Sequence, residues 1–165
     1  MDSAIPEGVA GYLEQVTIPA RISSVTQSGW PVVISLWYFY QEGQLYCATQ
    51  RAARIVKYLS REPRCAFEIA SDQMPYCGVR GQGLAEIDAE QGKDVLERLL
   101  VRYVGDTQNP LAQDLLSRSE TEVAIVIKPV NLFTWDFTER MQDVAPHSGP
   151  DSRLCPVSGV RLKLT

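Results

Sequence analysis

Histidine is nearly absent from this sequence. The 165-residue chain holds one, His147, in the loop-like stretch APHSGPDS. A Ser-His-Asp triad or a multi-histidine metal site therefore has little to build on, and any difficult chemistry falls to a cofactor. Closely spaced cysteines are missing too. Cys47, Cys65, Cys77 and Cys155 form no CxxC pair, which argues against a zinc knuckle and a disulfide framework. They read as buried thiols in a reducing cytoplasm. No apolar run is long enough to span a membrane, and the N-terminus lacks the basic-then-apolar pattern of a secretory signal. Positive charge is not in excess: the net charge is −4 and the sequence pI about 5.0, unlike a general nucleic-acid binder, which displaces counterions with a basic surface. A GxGxxG loop after the first strand is lacking, which excludes a Rossmann reading.

What is present reads as one globular domain with a full core, since 45% of residues are hydrophobic and 22% charged. Residues 21–27 suggest a first strand, and residues 30–40 (WPVVISLWYFY) a second, rich in β-branched and aromatic residues. Glu42-Gly43 signals a turn before a third strand over residues 44–49. Further strands are expected over residues 64–70, 78–87, 121–128 and 130–137. Gly81 and Gly83 mark a bulge or a close backbone approach in the fifth. Asp88 is placed to cap a helix over residues 89–104 that Gly105 stops, and Asn109-Pro110 starts a shorter one through Leu116. Short links between the early strands favour a mainly β fold with peripheral helices, an antiparallel barrel or strongly curled sheet.

The most informative stretch is residues 49–64, TQRAARIVKYLSREPR. It reads as a short helix with Ala52, Ile55, Val56 and Leu59 on one side and Arg51, Arg54, Lys57 and Arg61 on the other. A basic helix opening at a strand end suits a phosphate-bearing ligand; the alternative is a solvated helix face.

Five motifs occur in order: ISLWYF (residues 34–39), Thr49 at a strand end, the helix closing in Glu62-Pro63-Arg64, PYCGVRGQGLAEI (residues 75–87) and PVNLFTW (residues 129–135). Together they resemble the flavin-binding split β-barrel superfamily whose namesake is pyridoxamine phosphate oxidase, over residues 15–137. The resemblance implies an antiparallel split β-barrel, a homodimer, and FMN in a cleft at the subunit interface. It implies that the backbone of Ile34, Ser35, Leu36 and Trp37 runs along the flavin ring. Thr49 and Arg54 match the threonine at the third strand end and the arginine of a Ser-Arg-Lys phosphate motif, with Arg51, Lys57 or Arg80 as further cationic help. Trp135 matches a tryptophan six residues after a proline. The departures are Ala53 and Ile55 for the serine and lysine of that motif, Val33 and Tyr38 for two basic residues, and Gly78 for a glutamine. They argue against the namesake's own activity. The PY and VRGQGLAEI segments look more like the branch with deazaflavin-dependent reductases. The implied function is an FMN-dependent oxidoreductase acting on a small conjugated substrate, with a deazaflavin-dependent reductase or a non-catalytic flavin- or haem-binding protein as alternatives. No catalytic side chain and no metal site is assigned, and neither nucleic acid nor membrane is an expected partner. Residues 1–140 form the expected domain; residues 141–165 are a tail that either covers the partner's cleft or stays mobile.

Overall fold

The computed structural model describes residues 5–143 and 154–164. Helix α1 (Glu7–Gln15) leads into strands β1 (Ala20–Val25), β2 (Pro31–Leu36), β3 (Tyr38–Gln41) and β4 (Gln44–Gln50). Helix α2 (Arg54–Arg61) follows, then β5 (Arg64–Ala70) and β6 (Cys77–Asp88). Helices α3 (Gly92–Val104) and α4 (Pro110–Ser117) precede the long β7 (Glu122–Asp136) and the short β8 (Arg161–Lys163). All pairings are antiparallel, in the order β2-β1-β5-β6-β7-β4-β3, with β8 added to β7.

The two ends of that order are neighbours in the chain. Only Trp37 separates β2 from β3, so one bent strand pairs β1 with its first half and β4 with its second. The sheet thereby curls into a barrel, split where β2 leaves β4. The expected mainly β fold with peripheral helices is the one observed. Inside lie Ile22, Leu45, Cys47, Phe67, Ile69, Val79, Ile125, Ile127 and Leu132, all buried. Leu45 and Cys47 alternate with Tyr46 and Ala48, which turn outward to meet α3. This two-residue period is what the pleat requires. Helix α3 docks through Val95 and Leu99 onto Phe39 and Ala124. Gly92 at its start lies so close to Glu122 that a methyl group would overlap the Glu122 carbonyl.

Several elements differ from the sequence expectation. Helix α1 was not anticipated. Its buried Val9, Tyr12 and Leu13 join the barrel core, and the Tyr12 hydroxyl donates to the Ile69 carbonyl. Arg102 of α3 donates to the carbonyls of Leu13, Glu14 and Val16, which supplies the cationic cap that the end of α1 lacks in its own sequence. Helix α2 is shorter than residues 49–64: Thr49 and Gln50 still belong to β4, and Arg51 lies in the turn before the helix. The two strands expected over residues 121–137 are one, with Pro129 opposite Gly83 beside the bulge, where a proline is tolerated in a strand. Helix α3 begins at Gly92 because Asp88 ties the Glu90 and Gln91 N–H groups into a turn first.

The cysteine reading needs correction. Cys77 and Cys155 form a disulfide across 78 residues of sequence. Spacing alone gave no hint of it, because the two meet only when the tail returns to the start of β6. Cys47 and Cys65 are buried free thiols, and burial pushes the Cys65 thiol up to about 11. The disulfide removes the basis on which a reducing compartment was expected. No helix among the described residues is long and apolar enough to cross a membrane. His147 lies outside the described residues.

The disulfide holds residues 154–164 against the barrel. Cys77→Ser with Cys155→Ser should lower unfolding stability by roughly 4 kcal/mol in the chain-entropy account, read as the shift in urea midpoint. Thiol titration of the denatured, unreduced protein should find two groups, rising to four after reduction; four before reduction would remove the crosslink.

Candidate functional site

The residues singled out in the sequence fall into three places. Ile34 and Leu36 point to the barrel interior, where they pack against the core. Thr49 continues the interior-facing row of Leu45 and Cys47 at the end of β4. Strand β2 pairs with β1 alone, so its other edge carries backbone groups with no strand partner, and it approaches β4 across the split. The turn after β4 then opens α2. The N-cap of this helix is Ala53, which has no side-chain oxygen to accept from the first-turn N–H groups. Arg54 occupies the first helical position and Lys57 follows one turn later, both exposed. Among the described residues, the side chains of Arg51, Arg54 and Lys57 take part in no hydrogen bond or ion pair. Arg61, by contrast, is tied down: its guanidinium donates to the Val25 and Thr26 carbonyls at 2.8 and 2.6 Å, pinning α2 to the β1–β2 hairpin. The basic face is therefore two things, a structural clamp at Arg61 and a free cationic start at Arg54.

Trp37 sits elsewhere. Its ring stacks on Tyr103 of α3, with centroids 5.0 Å apart and planes 8° from parallel. That is the core-filling role; only its backbone remains on the strand bend. Ser35 and Trp135 are on the outer face of the barrel. Ser35 lies opposite Arg21 in register, and the Arg80 guanidinium lies 5.4 Å from the Trp135 ring centroid. Ile34, Leu36 and Thr49 thus face the barrel interior, Arg54 follows Thr49 at the start of α2, and Ser35 and Trp135 lie on a different surface. Residues missed in the sequence, Arg21, Phe133, Arg161 and Lys163, share that outer face. The alternation through Leu132, Phe133, Thr134 and Trp135 was the available signal: Leu132 and Thr134 are buried, so the aromatics face out.

The corner before α2 is braced from beneath. The Gln50 amide donates to Glu122, the Thr121 hydroxyl donates to Gln50, and the Arg51 N–H donates to the Thr121 carbonyl at 2.7 Å. Glu122 is buried, and burial raises its carboxyl above the ordinary range against the pull of Gln50 and Arg118. A carboxyl whose folded pKa is raised binds its proton more tightly folded than unfolded, so its ionisation costs stability as pH rises through the folded value. Glu122→Gln keeps the acceptor for Gln50 and removes that cost. It should raise the melting temperature at neutral pH, and the gain should fade as pH drops below the ordinary carboxylate range. A loss of stability at neutral pH would show that the ionised form is what the corner needs.

The sequence matches no protein-family model. It matches no curated protein. Solved structures do match. An F420 reductase superposes with a TM-score of 0.65 at 22% identity, covering 78% of this chain and 98% of that one. A conserved hypothetical protein, Rv2991 from Mycobacterium tuberculosis, gives 0.69 at 20% identity, covering 92% and 95%. The heme storage protein HutZ from Vibrio cholerae gives 0.60 at 14%, covering 77% and 92%. A putative pyridoxamine 5′-phosphate oxidase from Listeria innocua also matches, at 0.58 and 18%. At these identities the likeness is one of fold, and the chain has the pyridoxamine phosphate oxidase-like split β-barrel fold.

Proposed function

We propose that the protein is a flavin-type oxidoreductase that holds FMN, or a deazaflavin, by its phosphate at the start of α2. The observation that carries this reading is the open first turn of α2. Its N-terminal N–H groups lack a side-chain cap, Arg54 stands at the first position without a partner among the described residues, and Thr49 lies at the adjoining strand end. A helix N-terminus with a free guanidinium is a ready anion site. The residues fit such a cofactor although Ala53 and Ile55 offer no hydroxyl or ammonium: the backbone N–H groups stand in for the first, and Arg51 or Lys57 supplies charge in place of the second.

A bound flavin supplies hydride or electron transfer to a small conjugated substrate. The chain's own residues bind and orient it. Arg54 and the α2 N–H groups anchor the phosphate end. The unpaired edge of β2 at Ile34, Ser35 and Leu36 offers backbone donors and acceptors to a flat heteroaromatic edge. The corner is open in a single chain, with Arg51, Arg54 and Lys57 exposed. That openness supports a homodimer in which the partner closes the site and its Trp135-bearing face adds to it. An F420 reductase and HutZ share the fold, which keeps a deazaflavin and a haem as competing ligands.

Side-by-side titration of the purified protein with FMN, deazaflavin and haem tests the reading. A yellow complex reducible by a nicotinamide and reoxidised by a substrate supports an oxidoreductase; uptake of haem alone overturns it. Arg54→Ala should weaken the flavin by about 1.5–3 kcal/mol, one to two orders of magnitude in Kd, whereas an unchanged Kd places the phosphate elsewhere.

A further inference from the structure

Strand β4 pairs with β7 only as far as Ile127. Beyond that point the same edge of β7 is taken over by the C-terminal tail. Strand β8 sets Lys163, Leu162 and Arg161 opposite Asn131, Leu132 and Phe133. The ladder is lengthened at both ends. The Leu164 N–H donates to the Val130 carbonyl at 2.7 Å, and the Thr134 N–H to the Val160 carbonyl at 3.0 Å. The buried Thr134 hydroxyl donates to the Val157 carbonyl at 2.5 Å and accepts the Val160 N–H at 3.0 Å. Val160, Leu162 and Leu164 share the inward side of the pleat and pack against the barrel core. The tail therefore completes the stretch of barrel wall that β4 leaves open.

Little besides one covalent bond keeps it there. Strand β8 is three residues long and pairs on one side only. Its inward side chains are half-buried, and Leu154 and Val157 are exposed. No ion pair among the described residues ties Arg161 or Lys163 to the barrel. So short an edge strand does not by itself repay the ordering of residues 154–164. The Cys77–Cys155 disulfide supplies the missing constraint. Cys77 stands opposite Asp136 in register, so the bond fixes the start of the tail beside the end of β7.

The bond is open to chemistry from one side. Cys77 is 2% exposed, whereas Cys155 is half-buried between exposed Leu154 and buried Pro156. The sulfur within reach of a thiolate from solvent is that of Cys155. The other two cysteines do not compete for it. Cys47 and Cys65 are buried, and burial holds both thiols in the protonated, unreactive form.

We propose that the Cys77–Cys155 disulfide is a redox latch that a dithiol reductant opens, releasing the tail from β7. One thiolate of the reductant attacks the Cys155 sulfur, the bond to Cys77 breaks, and Cys77 leaves as a thiolate. The second thiol of the reductant then displaces Cys155 and closes the reductant's own disulfide. Two electrons pass to the cysteines, and each takes up one of the two protons that the dithiol gives up. Release bares the edge of β7 between Val130 and Thr134 and withdraws Val160, Leu162 and Leu164 from the core. The barrel wall is closed here in the oxidised chain and open in the reduced one. The latch is independent of the flavin assignment, since it involves neither Arg54 nor the edge of β2.

Hydrogen exchange of the full chain, followed by mass spectrometry with and without dithiothreitol, tests the latch. On reduction, exchange over residues 130–134 and 159–164 should quicken by about tenfold or more, while β1 and β5 keep their protection. Reoxidation should restore the slow pattern. Cys155→Ser should show the fast pattern without any reductant. Protection of residues 130–134 and 159–164 that survives reduction overturns the proposal. So does a loss of protection shared equally by β1 and β5, which marks the bond as a staple of the whole fold. A disulfide that resists excess dithiothreitol in the folded chain overturns it as well.

Discussion

The constraint on which the structure depends is that one strand must serve both ends of the sheet. Barrels satisfy their backbone groups by closing on themselves. Here closure runs through the covalent chain: β2 pairs with β1, β3 pairs with β4, and the bend between them is a single residue, Trp37. The bend is stable because the Trp37 ring is stacked on Tyr103 and the Tyr103 hydroxyl accepts the Tyr38 N–H. What the bend costs is one edge of β2, whose backbone groups have no strand partner. That unpaired edge, like the outer edges of β3 and β8, offers polar recognition by backbone.

Cations are divided by their partners into structural and free sets. Arg61 and Arg102 are spent on carbonyls, the first at the β1–β2 hairpin and the second at the end of α1. Each satisfies acceptors that no regular element reaches. Arg54 on one surface and Arg80, Arg161 and Lys163 on another have no such employment among the described residues. These are two local concentrations of positive charge in a chain of net negative charge. The tail links the second concentration to covalent structure, because the disulfide and the Thr134 contacts keep β8 on β7.

Much of the barrel was legible because its strands obey a two-residue period and their links carry turn residues. Glu42, in the left-handed region with φ 50°, and Gly43, with φ 80°, form the turn that Glu-Gly announces. Gly81 and Gly83 were read as a bulge or close approach, and the register shifts between Gln82 and Gly83. Helix α1 was not legible: its apolar stripe is short, and its end is capped by Arg102, far away in sequence. Strand β8 was equally hidden, since three residues pair only because a crosslink and one threonine hold them in place.

The site shows the same division. Residue type and spacing marked a basic helix over residues 49–64, the family resemblance singled out Arg54 within it, and the structure starts the helix at Arg54 itself. The partners of the other basic residues could not be read, because Arg61 and Arg54 look alike in a helical pattern and differ only in what the β1–β2 hairpin brings to them. Trp37 and Trp135 likewise look equivalent in sequence. Tertiary packing sends the first against α3 and the second to the outer face beside Arg80. The sequence by itself determined most of the strands, the bulge and the basic character of the stretch that forms α2, because these follow from local backbone preference and periodicity. Only the tertiary structure decided the Cys77–Cys155 bridge and the cationic row of Arg21, Arg80 and Arg161, because both join segments that sheet register alone brings within reach.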